Sequence, residues 1–543
     1  MKSDRKVIIE KHKKFSQSAL WRLQREYFDK EGINAWVNQV PFYITSNPFI
    51  AMCYAKIVLP FMLDWSKKNP EAKKHPFYVM ELGTGSGRFS YYFVKSLLEL
   101  MKAQDIQDIQ FCYIMSDFTK HNIKYWESHP SLKPYVDQGL IDFALFDMET
   151  ERPVTLINKN IRLSPDVLVN PLTVFANYIF DTVSHDAFTV HEGKLYELLF
   201  SLTTDEKNME NNRPVDMEKI EVDYHIHEIK TSSYYGNPHF DSILEDYKNK
   251  LVSTSFLFPM GSFNAIRFLK KLANDKLLIL STDKGYSTVE SLDHLGHPAI
   301  SFHGSFSMMV NFHAIGEYFK NSGGDAFLQT PRKGIRTSVF SSGFKLSDLT
   351  QTWHAIDEWV ERFSPADYFA LHSRMRDSYQ EVTQLDIIAS HLELARWDPH
   401  IYLKICNHLI SLLESSDAET IDFIAHNMPR LAENYYFMPK TECVLFEIGV
   451  FFHAIKNYEQ ALKYYLSAHE FVGDQFGLFY NTALCQHHLD KNEDALVTFN
   501  KALVLDPESK ETQEWITFIE KKLAGGGDEE KSPADRAEEE KPE

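Results

Sequence analysis

The chain has 543 residues, more than one hydrophobic core serves, so its length sets an expectation of about two to four domains. Its 44% hydrophobic, 24% charged and 14% aromatic residues are those of a globular protein and exclude global disorder. A formal charge of -19 argues against nucleic acid as a partner, because such binding draws on Lys and Arg against phosphate.

Cys53, Cys112, Cys406, Cys443 and Cys485 are scattered and form no CxxC pair, so neither a zinc spacing nor a disulfide framework is expected. The apolar stretch Phe49 to Leu63 is short of a bilayer span and holds Lys56 and Pro60. The N-terminus MKSDRKVIIEKHKK lacks the apolar core of a secretion signal. The expectation is a cytoplasmic protein with no membrane association.

In chain order, residues 1–75 are expected as an N-terminal helical segment. From 76 to 345 the apolar runs FYVMEL, FCYIMS, IDFAL, LTVFAN and KLLILS alternate with amphipathic stretches, which predicts βαβ units, a parallel sheet and an α/β Rossmann-like domain. From Leu346 to Leu523 the apolar spacing turns helical throughout. Residues 346–436 are expected as a helical linker or a degenerate repeat region. Residues 437–523 show an internal repeat when shifted by 34, the tetratricopeptide period: Ala461 falls on Ala495, Ala468 on Ala502, Tyr465 on Phe499, Gly449 on Ala483 and Phe446 on Tyr480. Such an all-α array is a protein-interaction surface, so a protein partner or substrate is expected there. Residues 524–543 carry dense charge and no large apolar side chain, the composition of a disordered acidic tail.

The candidate cofactor site opens at Glu81-Leu-Gly-Thr-Gly-Ser-Gly87, read as strand, glycine turn and helix. Gly83, Gly85 and Gly87 allow a sharp turn and close approach of backbone to a ligand. The spacing GxGxG, with Glu81 two residues ahead, departs from the GxGxxG of a pyrophosphate cradle. An acid at the strand end suits S-adenosylmethionine, which carries an ammonium and a sulfonium and no phosphate. Asp117, ending the next strand, is a candidate acceptor for ribose hydroxyls. One strand later, Phe146 is a candidate to stack on adenine and Asp147 to accept from its amino group. Asn177 and Asp181, at the mouth of the fourth strand, are the candidate catalytic residues; the same pattern also fits a helix cap. His185 and Asp186 follow them in the same segment, where a lone loop His is more often incidental. Asp293-His-Leu-Gly-His297 and His303 complete no metal spacing, and no metal is expected.

These segments together resemble the MidA family of S-adenosylmethionine-dependent methyltransferases, which includes the mitochondrial protein-arginine methyltransferase that assists assembly of respiratory complex I. Val40-Pro-Phe-Tyr-Ile-Thr-Ser-Asn-Pro-Phe-Ile50 is similar to its N-terminal element, with Asn47 in place of Pro. Glu81 to Gly87 is similar to its glycine loop. Ala176-Asn-Tyr-Ile-Phe-Asp-Thr-Val-Ser-His-Asp-Ala-Phe188 keeps Asn177 and Asp181 and has Tyr178 where the family has Glu. Asp283-Lys-Gly285 and Val310-Asn-Phe312 match two further segments. The resemblance, covering residues 15 to about 340, implies S-adenosylmethionine binding and methyl transfer to a protein, with arginine as the family's acceptor. The departures leave open a methyltransferase-like scaffold without catalysis, whose repeats mediate protein binding.

Overall fold

The computed structural model describes residues 6–38, 43–150, 152–209, 215–229, 233–525 and 532–533. It divides into two compact units, residues 1–374 and 375–543. The first unit therefore extends past the boundary expected at 345 and takes in the helical segment Thr350–Ile356, whose Thr352 donates to the Asp64 carboxylate from both its backbone N–H and its hydroxyl, each at 2.9 Å.

In the first unit a mixed sheet is built from β1 (Phe77–Glu81), β2 (Phe111–Asp117), β3 (Ile141–Leu145), β4 (Leu172–Phe175), β5 (Leu277–Tyr286), β6 (Asp325–Leu328) and β7 (Ile335–Ser342). Their order is β6-β7-β5-β4-β1-β2-β3, with β1 to β5 parallel and β7 antiparallel to both β5 and β6. Every residue of β1, β2 and β4 is buried. This is why these strands read as continuous apolar runs rather than alternating ones, since helices cover both faces of a parallel sheet. The chain leaves β1 toward β2 and β3 and then returns to the other side of β1 as β4. That reversal places a crevice at the carboxyl ends of β1 and β4, where open α/β sheets bind ligands.

A second, antiparallel sheet lies in the stretch between β4 and β5. It comprises Asp186–His191, Lys194–Asp205, Glu221–Glu228 and Ser253–Phe258, joined by Lys6–Lys14 from the N-terminus. Residues 1–75 are thus not wholly helical: Lys6–Lys14 pairs with Lys194–Asp205, a register visible only when the distant strand exists. The helix Ala19–Glu31 follows, and then Pro48–Lys68.

Pro48–Lys68 is 21 residues long and is long and apolar enough to cross a membrane by length and composition, which the shorter apolar count from Phe49 to Leu63 did not register. Here 72% of its apolar window is buried within the protein. Asn47 starts this helix by accepting from Ile50 N at 3.0 Å, with Pro48 in the first turn. The departure from the family pattern at Asn47 is therefore a helix cap. Residues 40–42 of that element lie outside the described residues.

Among the described residues 346–525 there is no strand. In the second unit, Pro399–Ser411 and Ala418–Glu433 precede the helix pairs Val444–Ala454 with Tyr458–Val472 and Phe476–His488 with Asn492–Leu505, followed by Lys510–Leu523. The 34-residue correspondence is repeated in the packing. Phe446 lies 5.5 Å from Tyr465 and Tyr480 lies 5.6 Å from Phe499, ring centre to ring centre. Ala461, Ala468, Ala483, Ala495 and Ala502 are fully buried, because only a small side chain admits the close helix contact. At Gly449 a Cβ would stand 2.5 Å from the Tyr465 ring. Most of the acidic tail, 526–531 and 534–543, lies outside the described residues.

Candidate functional site

A cavity of about 190 Å³ opens at the carboxyl ends of β1, β2 and β4. Glu81, Gly83, Asp117, Phe146, Asp147, Asn177 and Asp181 all line it. Gly85 and Gly87 do not, and their part is to shape the loop. Gly83, Gly85 and Gly87 have φ of 59°, 58° and 81°, the left-handed region that favours glycine. The loop is pinned from both sides: Gly85 N donates to Asp117 Oδ2 at 3.3 Å, and Trp126 Nε1 donates to Gly85 O at 2.9 Å.

Glu81 is 5% exposed, and its Oε2 accepts from the hydroxyls of Ser90 and Tyr113. Burial pushes its carboxyl up to about 7 despite these hydrogen bonds. A buried carboxyl of this kind gains most from a cationic ligand, which would restore its ionised form.

Asp117 is also buried and held above the usual carboxylate range by desolvation. Its oxygens accept from Gly85 N, from Thr119 N at 2.9 Å and from Asn122 Nδ2 at 2.9 Å. The residue expected to hold ribose hydroxyls thus already braces the glycine loop, a duty set by the loop folding back onto β2.

Asp147 is held by Arg25, whose Nη2 reaches Oδ2 at 2.7 Å and Nη1 reaches Oδ1 at 3.2 Å. Arg25 also lies 4.6 Å from the Phe118 ring centre and 3.5 Å from Glu149. Asp147 is therefore one end of an ion pair rather than the free adenine acceptor the sequence suggested. Phe146 is 4% exposed and stacks on Phe268 at 5.6 Å, so most of its ring belongs to the core.

Asn177 accepts at Oδ1 from the Tyr54 hydroxyl at 2.6 Å and from Thr282 N at 3.1 Å. Its Nδ2 has no partner among the described residues. Two donors on the oxygen fix the amide orientation, leaving Nδ2 as an unused donor in the cavity wall. Tyr178 has φ of 49°, unusual for a residue with a side chain, and its buried hydroxyl has no partner among the described residues.

Asp181 is 2% exposed, and its carboxyl is hydrogen-bonded to that of Asp283 on β5, which is fully buried. Desolvation raises both; the hydrogen bond from Asp283 eases ionisation of Asp181, while the charge of Asp181 pushes Asp283 up further.

His185 and Asp186 face elsewhere. His185 Nε2 contacts Phe180 O at 2.8 Å, and burial takes its imidazole down to about 4; Asp186 accepts from Tyr235 at 2.7 Å.

Sequence reasoning missed the wall supplied from far along the chain. Gln24, Arg25, Phe28 and Trp36 come from the N-terminal helices, and Ser301, His303, Ser305 and Phe306 from a short hairpin. Gln24 Nε2 ties the two walls together by donating to Phe306 O at 2.8 Å. The one available signal was Thr45-Ser46 of the N-terminal element, both of which line the cavity. Among the described lining residues five are carboxylic acids (Glu81, Asp117, Asp147, Glu149, Asp181) and two are basic (Arg25, Lys284). The site is electrostatically suited to cations and poorly suited to phosphates.

No family model matches the sequence, and no curated protein matches it. Two crystal structures of one superfamily from Burkholderia thailandensis are similar to the chain. One, with S-adenosyl-homocysteine bound, is 14% identical over 59% of this chain and 75% of its own, with a TM-score of 0.38. The other, an uncharacterized protein, is 13% identical over 57% of this chain and 73% of its own, with a TM-score of 0.35.

Proposed function

We propose that the first unit binds S-adenosylmethionine and transfers its methyl group to a protein acceptor, arginine by the family resemblance, and that the second unit is a tetratricopeptide array recruiting that partner in the cytoplasm. The observation that carries the reading is the meeting of Glu81, Asp117 and Asn177–Asp181, from three separate strand ends, around one acidic cavity beside the glycine loop. The lining fits this cofactor: a net excess of acids favours its ammonium and sulfonium, and left-handed glycines bring backbone close where a side chain would intrude. A nicotinamide or nucleoside-phosphate cofactor would meet the same acids without a facing cluster of bases.

Glu81, Gly83 and Thr84 would hold the amino-acid end, and Asp117 the loop on which it rests. When bound, the cofactor supplies an electrophilic methyl group on a sulfonium. The chain's part is then to align the acceptor, exclude water and take up a proton. Asn177 and Asp181 are suited to that part, the first through its unused Nδ2 and the second through a carboxyl able to accept a proton.

A second reading, cofactor binding without catalysis, is favoured by Arg25 occupying both oxygens of Asp147 and by Tyr178 at the acceptor end. Titration calorimetry with S-adenosylmethionine and S-adenosylhomocysteine tests the first step. Binding is expected, and its absence sinks both readings of the first unit. Transfer of a labelled methyl group to protein in a lysate then separates them.

A further inference from the structure

We propose that Asp283, buried behind Asp181, is a positioning residue of the acceptor end: the two carboxyl groups share one proton and act as one acid, with Asp181 the member that exchanges protons at the cavity. The acceptor part of this proposal rests on the methyl-transfer reading; the shared proton does not.

The geometry carries it. β4 and β5 run parallel and adjacent, and Tyr178 N donates to Thr282 O at 3.0 Å just past β4, so the turn that holds Asp181 lies beside the stretch of β5 that holds Asp283. Asp283 Oδ1 accepts from Lys284 N at 2.7 Å. Apart from the other carboxyl, Asp283 Oδ2 and Asp181 Oδ1 have no hydrogen-bond partner among the described residues. Two carboxyl groups in hydrogen-bond contact, both removed from water, cannot both be ionised without a large repulsion, so one proton stays between them. Asp181 lines the cavity and Asp283 does not, which divides their parts.

The titratable groups facing the pair are Tyr178, whose phenol is kept neutral first by burial and then by the neighbouring carboxyls, and Lys284, whose charge favours ionisation of Asp181. The unpartnered Tyr178 hydroxyl and Asn177 Nδ2 stand in the same wall. Native proteins leave few buried polar atoms unpaired, and several around one carboxyl point to a ligand that completes them.

The step is a proton transfer. An N–H bond of the acceptor breaks, an O–H bond forms on Asp181, and the electron pair stays on nitrogen. The pair passes from one proton and one negative charge to two protons and none; the extra proton goes to water when product leaves. Below the pH at which the pair first ionises it holds both protons and cannot take another, so transfer rises with pH.

The test uses the full chain and two readouts. In the wild type the pair keeps its proton after carboxyls of the unfolded chain, ionising near about 4, have lost theirs. Unfolding then releases a proton, and stability falls as pH rises from there toward neutrality. Asp283→Asn places a donor amide against Asp181. With one carboxyl fewer to hold a proton in the folded chain, it is expected to make this fall shallower, with S-adenosylhomocysteine affinity unchanged. Glu81 contributes equally to both proteins, so the difference reports the pair. Asp181→Asn is expected to flatten the stability curve in the same way, which keeps the test alive should one variant not fold. Unchanged curves in both variants overturn the proposal, as does loss of cofactor affinity in Asp283→Asn. A wild type that shows the fall in stability and binds no cofactor supports the shared proton and removes the methyl-transfer reading.

Discussion

Tyr54 donates its hydroxyl to Asn177 Oδ1 at 2.6 Å, and with Thr282 N this fixes which way the Asn177 amide faces. Tyr54 is fully buried in the helix Pro48–Lys68, and its hydroxyl also contacts Thr282 Oγ1 at 2.8 Å, which in turn meets Thr337 Oγ1 at 2.8 Å. A helix that begins at the Asn47 cap thus sets the orientation of a side chain at the end of β4.

Tyr54→Phe removes that donor while keeping the ring. The expected cost is about 1–2 kcal/mol of stability, the net worth of a buried hydrogen-bond group left unpaired. Methyl transfer is expected to fall about tenfold through loss of alignment at Asn177. Urea denaturation and a labelled-methyl assay measure the two. Full activity in a destabilised protein would show that Asn177 needs no fixed orientation.

Gly85→Ala forces a left-handed backbone on alanine and brings its Cβ to 2.8 Å from the Trp36 ring. Gly83→Ala meets Ile179 Cδ1 at 2.5 Å. Each is expected to weaken S-adenosylhomocysteine binding by about tenfold or more, about 1.4 kcal/mol, measured by calorimetry. Because the Ile179 side chain can rotate and the Trp36 ring is wedged beside Phe28, the larger loss is expected at Gly85.

Glu81 titrates near 7 in the folded protein because burial outweighs its hydrogen bonds. Its acid form predominates below that pH, so affinity for a cationic ligand is expected to strengthen as pH rises from 6 to 8 and then level off. Glu81→Gln should abolish this dependence. The sign for stability is opposite: the folded carboxyl ionises later than the unfolded one, so its contribution declines as pH rises from about 4.3 through 7. Calorimetry and thermal melts across that range check both signs.

Gly449→Ala drives a Cβ to 2.5 Å from Tyr465 in the helix pair whose counterpart, Ala483, already accommodates a methyl. The expected destabilisation is about 1–3 kcal/mol, the usual cost of overpacking. Thermal unfolding by circular dichroism measures it. A neutral result would show that the two helix pairs have equivalent spacing despite their different small residues.

Local pattern was enough to read β1 to β5, the glycine loop and the two matching helix pairs. A buried parallel strand is a continuous apolar run, a left-handed turn requires glycine, and a repeated helix contact repeats its small residues, so each leaves a trace in neighbouring positions. The acids Glu81, Asp117, Asp147 and Asp181 were legible for the same reason, as the polar residues that end apolar strands. The partner of each was not. Arg25 on Asp147, Asp283 against Asp181, Tyr54 on Asn177 and the strand Lys6–Lys14 beside Lys194–Asp205 join residues far apart in the chain.

The sequence by itself determined which side chains stand at strand ends and which face the interior of each element, because those follow from periods of two and 3.6 residues. Only the tertiary structure decided which carboxyls remain available to a ligand and which are already engaged. Availability depends on strand order and on what the intervening insertion and the N-terminal helix bring across the crevice, and no local period encodes that.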